Sequence, residues 1–175
     1  MLTEKTIKLL NKQINEELYS AYLYLEFANY LTDLGYVGYA HWYNIQVREE
    51  TDHAMTIYNY LQQNGVKPVL EAIAKPEIEL NGLLNVTEEG LKHEQHITAS
   101  IHKIYDVAHD EKDFRTMKLL DWFIEEQGEE EENANALIQE IKLYGDDKNA
   151  LYALDKDKLA RAYSPSTPDG MPVAM

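Results

Sequence analysis

Apolar residues spaced alternately three and four apart keep one face of a helix turned toward a partner, and four segments of the chain carry that spacing. The first runs Ile7, Leu10, Ile14, Glu17, Ala21, Tyr24, Ala28, Leu31, between Thr3 as N-cap and Gly35 as stop. The second runs Tyr43, Val47, Glu50, Ala54, Ile57, Leu61 and ends at Gly65. A short turn from Gly35 to Gly38 makes these two helices antiparallel neighbours. A third, opened by Thr87, runs Gly90, Glu94, Ile97, Ile101, Ile104, Ala108. After a brief hinge at Asp110 to Asp113, a fourth runs Leu120, Phe123, Gln127, Glu130, Ala134, Leu137, Ile141, Tyr144 and stops at Gly145.

Between the second and third helices lie about twenty residues, GVKPVLEAIAKPEIELNGLLN, with two prolines and no steady periodicity. Extended, such a segment reaches roughly 60 Å, more than the ~40 Å length of the neighbouring helix, so it can return along the bundle and leave helices two and three parallel. The expected fold is all-α: a four-helix bundle with one long crossover between helices two and three. DDKNALYALDKDKLARA after Gly145 adds a short fifth helix. One domain is expected over residues 1–162. The remainder, 163–175, contains three prolines and is expected to be mobile.

Each stripe is broken by a polar residue: Glu17 in the first, Glu50 in the second, Glu94 in the third, and Gln127 with Glu130 in the fourth. Glu17 lies 16 positions before Asp33 and His53 lies 15 after Gly38, which sets them at one height in an antiparallel hairpin. Glu94 lies 15 before His109 and Glu130 lies 17 after Asp113, so the second hairpin repeats the arrangement. Four carboxylates drawn into an apolar core must protonate or share a cation. His53, one turn from Glu50, adds a neutral nitrogen, and Gln127, one turn from Glu130, adds an amide oxygen. Oxygen-rich sites with one imidazole suit iron, manganese or zinc, and the number of converging ligands implies two metals. Taken alone, any one of these residues reads as readily as a misplaced helix face, and His53 as a satisfied or exposed histidine. Tyr24, seven residues from Glu17 on the same face, reads either as a redox or hydrogen-bonding partner of the metals or as core packing.

Composition narrows the partners. With 31 acidic against 16 basic side chains, a net charge of −15 opposes binding to a phosphate backbone and favours small cations. The absence of cysteine excludes a disulfide framework and a thiolate metal site, and permits a cytoplasmic home. The charged start, MLTEKTIKLLNKQINEEL, does not read as a signal peptide, and no run approaches a membrane span. A soluble protein bound to neither nucleic acid nor membrane is expected.

Together, Glu17, Glu49-Glu50-x-x-His53, His93-Glu94 and Glu126-Gln127-x-x-Glu130 resemble the ferroxidase pattern of ferritins, best that of bacterial and archaeal non-haem ferritins. The resemblance covers roughly residues 1 to 157. It implies one iron held by Glu17, Glu50 and His53 with Gln127 nearby, and a second held by Glu50, Glu94 and Glu130, with Glu50 bridging. Tyr24 matches the tyrosine beside the centre in that family. Glu49, Glu126 and Glu129, with Glu130 shared, match a third iron position, although without the resemblance all three read as a solvated face. Glu125, Glu131 and Glu132, the rest of the acidic run at 125–132, then read as surface residues. Bacterioferritins and rubrerythrins carry a second Glu-x-x-His where this chain has Gln127-x-x-Glu130, and bacterioferritins bind haem through a methionine where this chain has Thr51, so no haem is expected. The resemblance further implies oxidation of Fe(II) by O2, storage of Fe(III) as a hydrated oxide, and a shell of 24 subunits. A di-iron oxidase or peroxidase that stores no iron is the alternative. Gly128, inside the fourth helix, reads as a bend, a close approach or a tolerated surface glycine. His93 and His96 read as solvent-facing or intersubunit.

Overall fold

The Thr3 hydroxyl accepts the Thr6 amide at 3.2 Å and opens the first helix, α1 (Glu4–Asp33). Gly35, at φ 87°, closes it, with the Tyr36 amide reaching back to the Leu31 carbonyl. In the computed structural model, which describes residues 2–168, four further helices follow: α2 (Val37–Gln63), α3 (Gly82–Asp110), α4 (Phe114–Tyr144) and α5 (Lys148–Lys158). No strand forms among the described residues, and no helix there is long and apolar enough to cross a membrane.

Contacts fix the helix directions. Tyr30 meets Gly82, Ser20 meets His93 and Gln13 meets Ser100, so α1 and α3 run antiparallel. Gln46 meets Glu130 and Tyr60 meets Thr116, which sets α2 against α4 in the same sense. Because α1 and α2 form a hairpin, α2 and α3 are parallel, as the long crossover requires. That crossover runs beside α1: the Asn11 side chain accepts the Val69 amide at 2.7 Å and Asn15 donates to the Ala72 carbonyl at 3.2 Å.

α3 begins at Gly82, five residues before the expected Thr87. Gly82 sits at φ 81° and its amide donates to the Tyr30 hydroxyl at 2.8 Å, so α1 anchors the extra turn. Thr87 is buried one turn inside, its hydroxyl bonded to the Leu84 carbonyl. Gly145 caps α4 at an ordinary φ of −65°, and a Cβ there would stand 2.4 Å from the Ile141 carbonyl oxygen, so the close backbone approach at this cap requires glycine. Gly128 has open space around it within the chain and so reads as a surface glycine. The amides of Gly38 and Tyr39, at the start of α2, both donate to Asp155 Oδ1 of α5 (2.8 and 3.1 Å), which docks the fifth helix.

The core falls into two apolar clusters. One gathers Phe27, Leu31, Tyr39, Tyr43, Val86 and Leu137, and the other Leu10, Ile57, Leu61, Ile101, Leu120 and Phe123. The polar interruptions of the four stripes lie between them.

Candidate metal centre

Each long helix delivers its share of this layer from one face: α1 gives Glu17, α2 Glu50 and His53, α3 Glu94, and α4 Gln127 and Glu130. All six side chains are between 1% and 8% exposed. A carboxylate this deep is costly when ionised and unpaired. Glu17, Glu50 and His53 each bring a ligand atom within 4.8 Å of the others, so this trio could hold a metal ion.

The other carboxylates are oriented by neighbours. Glu94 accepts from the Tyr24 hydroxyl on one oxygen and from Gln127 Nε2 on the other, at 3.0 Å. Gln46 Nε2 donates to Glu130 at 2.8 Å. Gln13 Nε2 donates to Glu17 at 3.0 Å, and Gln13 Oε1 accepts from the Ser100 hydroxyl at 2.6 Å.

What remains after these bonds is informative. Glu17 Oε2, Glu50 Oε1 and both ring nitrogens of His53 are buried without a hydrogen-bond partner. The ring stands 3.4 Å from Glu50 Oε2 through Nδ1 and 3.8 Å from Glu126 Oε2 through Nε2, and neither approach has hydrogen-bond geometry. Buried polar atoms rarely go unpaired. Two carboxylate oxygens and an imidazole left over at one point fit the donor set of a borderline divalent cation such as Fe(II).

Electrostatics carry the same message. Burial pushes the Glu17 carboxyl up to about 7, while burial and the Glu94 charge push Glu130 up to about 8 and Glu50 well above the usual range. Burial also raises Glu94. For His53, burial alone would depress basicity, but Glu126, Glu50 and Glu17 outweigh it and raise the imidazole well above its ordinary value. Burial, with the charges of Glu94 and Glu50, raises the Tyr24 phenol. Without a cation the layer therefore takes up protons; with one, its carboxylates ionise.

A family model, the ferritin-like domain, matches residues 7–144. The chain belongs to the ferritin family. The bacterial non-haem ferritin of Staphylococcus saprophyticus is 36% identical over 166 residues, covering 95% of this chain and 99% of its own. That of Staphylococcus aureus is 33% identical over 163 residues, with 93% and 98% covered. An open-pore ferritin from the hyperthermophilic archaeon Archaeoglobus fulgidus superposes with a TM-score of 0.90 at 38% identity, over 93% of this chain and all of that one.

On this ferritin bundle, the structure brings together every residue of the inner layer that the sequence pattern marks. Gln127 joins it with its amide nitrogen directed at Glu94. Glu49 and Glu126 are half-buried at the edge of the layer and Glu129 is exposed on α4. Glu125 and Glu132 are exposed, whereas Glu131 is half-buried and accepts from Thr98 at 2.6 Å. His93 departs from the solvent-facing expectation: it is half-buried, 2.7 Å from the Ser20 hydroxyl and edge-on to Tyr24, and burial with nearby His96 lowers its pKa to about 4. His96 is exposed, 3.2 Å from Glu16. Gln13 and Gln46 were not legible as site residues. Their only mark is a polar residue four positions before each of Glu17 and Glu50, which equally describes the flank of a helical stripe.

Proposed function

We propose that this ferritin oxidises Fe(II) with O2 at a di-iron centre within each subunit and stores the product as a hydrated Fe(III) oxide inside a shell of 24 copies. Iron is substrate and cargo here. The observation that carries the reading is the buried layer contributed by four helices, in which Glu17, Glu50 and His53 present unpaired donor atoms to one point. Glu17, Glu50 and His53 would hold one Fe(II), and Glu50, Glu94 and Glu130 the second, with Gln127 beside them. Two Fe(II) supply two electrons, and one O2 takes these with two protons to leave hydrogen peroxide. Anionic oxygen ligands favour the ferric product, since a trivalent ion gains more from them than a divalent one. Tyr24 holds Glu94 through its phenol and so fixes the ligand that faces the second iron. Glu49, Glu126 and Glu129, with Glu130, would take a third iron on its way out of the pair.

The space beside the layer favours this over oxidation of an organic substrate. A cavity of about 20 Å³, lined by Tyr24, Tyr43, Gln46, Glu94 and Glu130, has room for a molecule of the size of water or O2. Organic ligands require pockets of roughly 300 Å³ or more.

The test is aerobic loading with Fe(II), followed by gel filtration with iron and particle mass read from the same peak. Iron far above three per chain in a large particle is the expected result. Iron held near two per chain in a small oligomer would replace storage by a di-iron oxidase, and no retained iron would reject the centre.

A further inference from the structure

Beyond α5 the chain turns back over the outer carboxylates. Arg161 Nη2 pairs with Glu49 Oε2 at 2.7 Å. The same guanidinium lies 4.0 Å over the Trp42 ring and donates to the Trp42 carbonyl at 3.2 Å, which fixes its place. Two residues on, the Tyr163 hydroxyl donates to buried Asp52 at 2.5 Å while its ring lies under the Arg48 guanidinium, 3.5 Å from centroid to carbon. Finally, the Ser166 hydroxyl donates to Glu126 Oε2 at 2.6 Å, the oxygen that stands 3.8 Å from His53 Nε2. Three successive anchors thus tie residues 161–166 across α2 and α4.

We propose that this C-terminal segment is a strap over the outer iron position, with Arg161 and Ser166 competing with iron for Glu49 and Glu126. The inference rests on the reading of those glutamates as iron ligands. Arg161 supplies to Glu49 the positive charge that a metal would otherwise bring, and Ser166 engages the oxygen of Glu126 nearest the inner pair. Iron entering the outer position competes with both contacts for the Oε2 atoms they hold. A guanidinium ion-paired with a carboxylate is a stronger competitor than water, so the outer position fills only after the inner pair and releases its ion readily. Tyr163 and Arg48 hold the strap near its target without touching the carboxylates of the outer position.

Anaerobic calorimetric titration of the assembled protein with Zn²⁺ as a redox-inert probe, repeated with Fe(II), tests this. Wild type should take two ions per chain tightly and a third more weakly. Arg161→Gln and Ser166→Ala should each leave the first two unchanged and tighten the third, about tenfold for Arg161→Gln, equivalent to ~1.4 kcal/mol. Adding Glu129→Gln to Arg161→Gln should abolish that gain. A third ion bound with wild-type or weaker affinity in both single variants overturns the strap while leaving the inner centre standing. A wild type that binds no metal at the first two positions instead rejects the di-iron reading, and the strap with it.

Discussion

Gln13 and Gln46 stand one turn before Glu17 and Glu50, and each directs an amide N–H at a buried carboxylate: Gln13 at Glu17, Gln46 across the bundle at Glu130. Such partners fix which oxygen faces the metal, and losing one typically costs 10- to 100-fold in metal affinity, about 1.4 to 2.8 kcal/mol. Gln46→Leu keeps the volume and removes the donor, so anaerobic Fe(II) titration should show the ion held by Glu130 weakened by on the order of tenfold with the bundle intact. Unchanged affinity would mean that Glu130 is held without Gln46. On the proposed function, Gln127 bears on turnover. Gln127 and Glu130 stand where a symmetric centre carries its second Glu-x-x-His and leave it with His53 as its one imidazole, and Gln127→His, which adds a second, should slow the transfer of Fe(III) from centre to mineral in stopped-flow absorbance traces. An unchanged transfer rate would remove Gln127 from the control of release. The inner-layer residues were legible because each breaks an apolar stripe at a common height. The orienting glutamines were not, because Gln46 acts on a different helix and no spacing within one helix encodes that contact.

At the scale of elements, the stripes gave the four long helices and their order, and the length of the crossover gave the parallel pair. The start of α3 was misplaced by five residues because its anchor, the Tyr30 hydroxyl, belongs to α1. Docking of α5 was equally invisible, since Asp155 and Gly38 meet across 117 residues of chain. A Cβ on Gly38 would stand 1.5 Å from the Asp155 carbonyl oxygen, a distance that only separation of the two backbones relieves. Gly38→Ala should therefore displace α5 and raise amide exchange across 148–158, leaving exchange in the α1 and α3 core unchanged. Asp155→Ala removes the side chain that serves as N-cap to α2 from another helix, and should lower stability by about 1 kcal/mol in chemical denaturation. A variant as stable as wild type would show that water replaces the carboxylate there without loss.

The whole molecule stores electrostatic work in its middle layer, and iron-free protein should reveal it as a dependence of stability on pH. Glu17 and Glu130 have folded-state values of about 7 and 8 against an ordinary 4.5, and Glu50 and His53 are also raised. Through that interval the native state binds more protons than the unfolded chain, so the slope of unfolding free energy against pH is negative. The contribution is fully present below the unfolded carboxylate value and is lost as pH rises through 7 to 8. Glu16 and Glu126 are shifted the other way, and their stabilisation is lost only in acid, below the ordinary carboxylate value. The melting temperature of iron-free protein should accordingly fall by on the order of 5 to 10 °C between pH 5 and 8.5. General repulsion among the surface charges behind the net −15 would act in the same direction, so a control is needed. Glu17→Gln with Glu130→Gln removes the titrating pair while changing the surface little, and should flatten most of the fall. Metal-loaded wild type should flatten it as well, because a bound cation keeps the carboxylates ionised throughout the range. A fall of the same size in the double variant would move its origin from the buried layer to the surface.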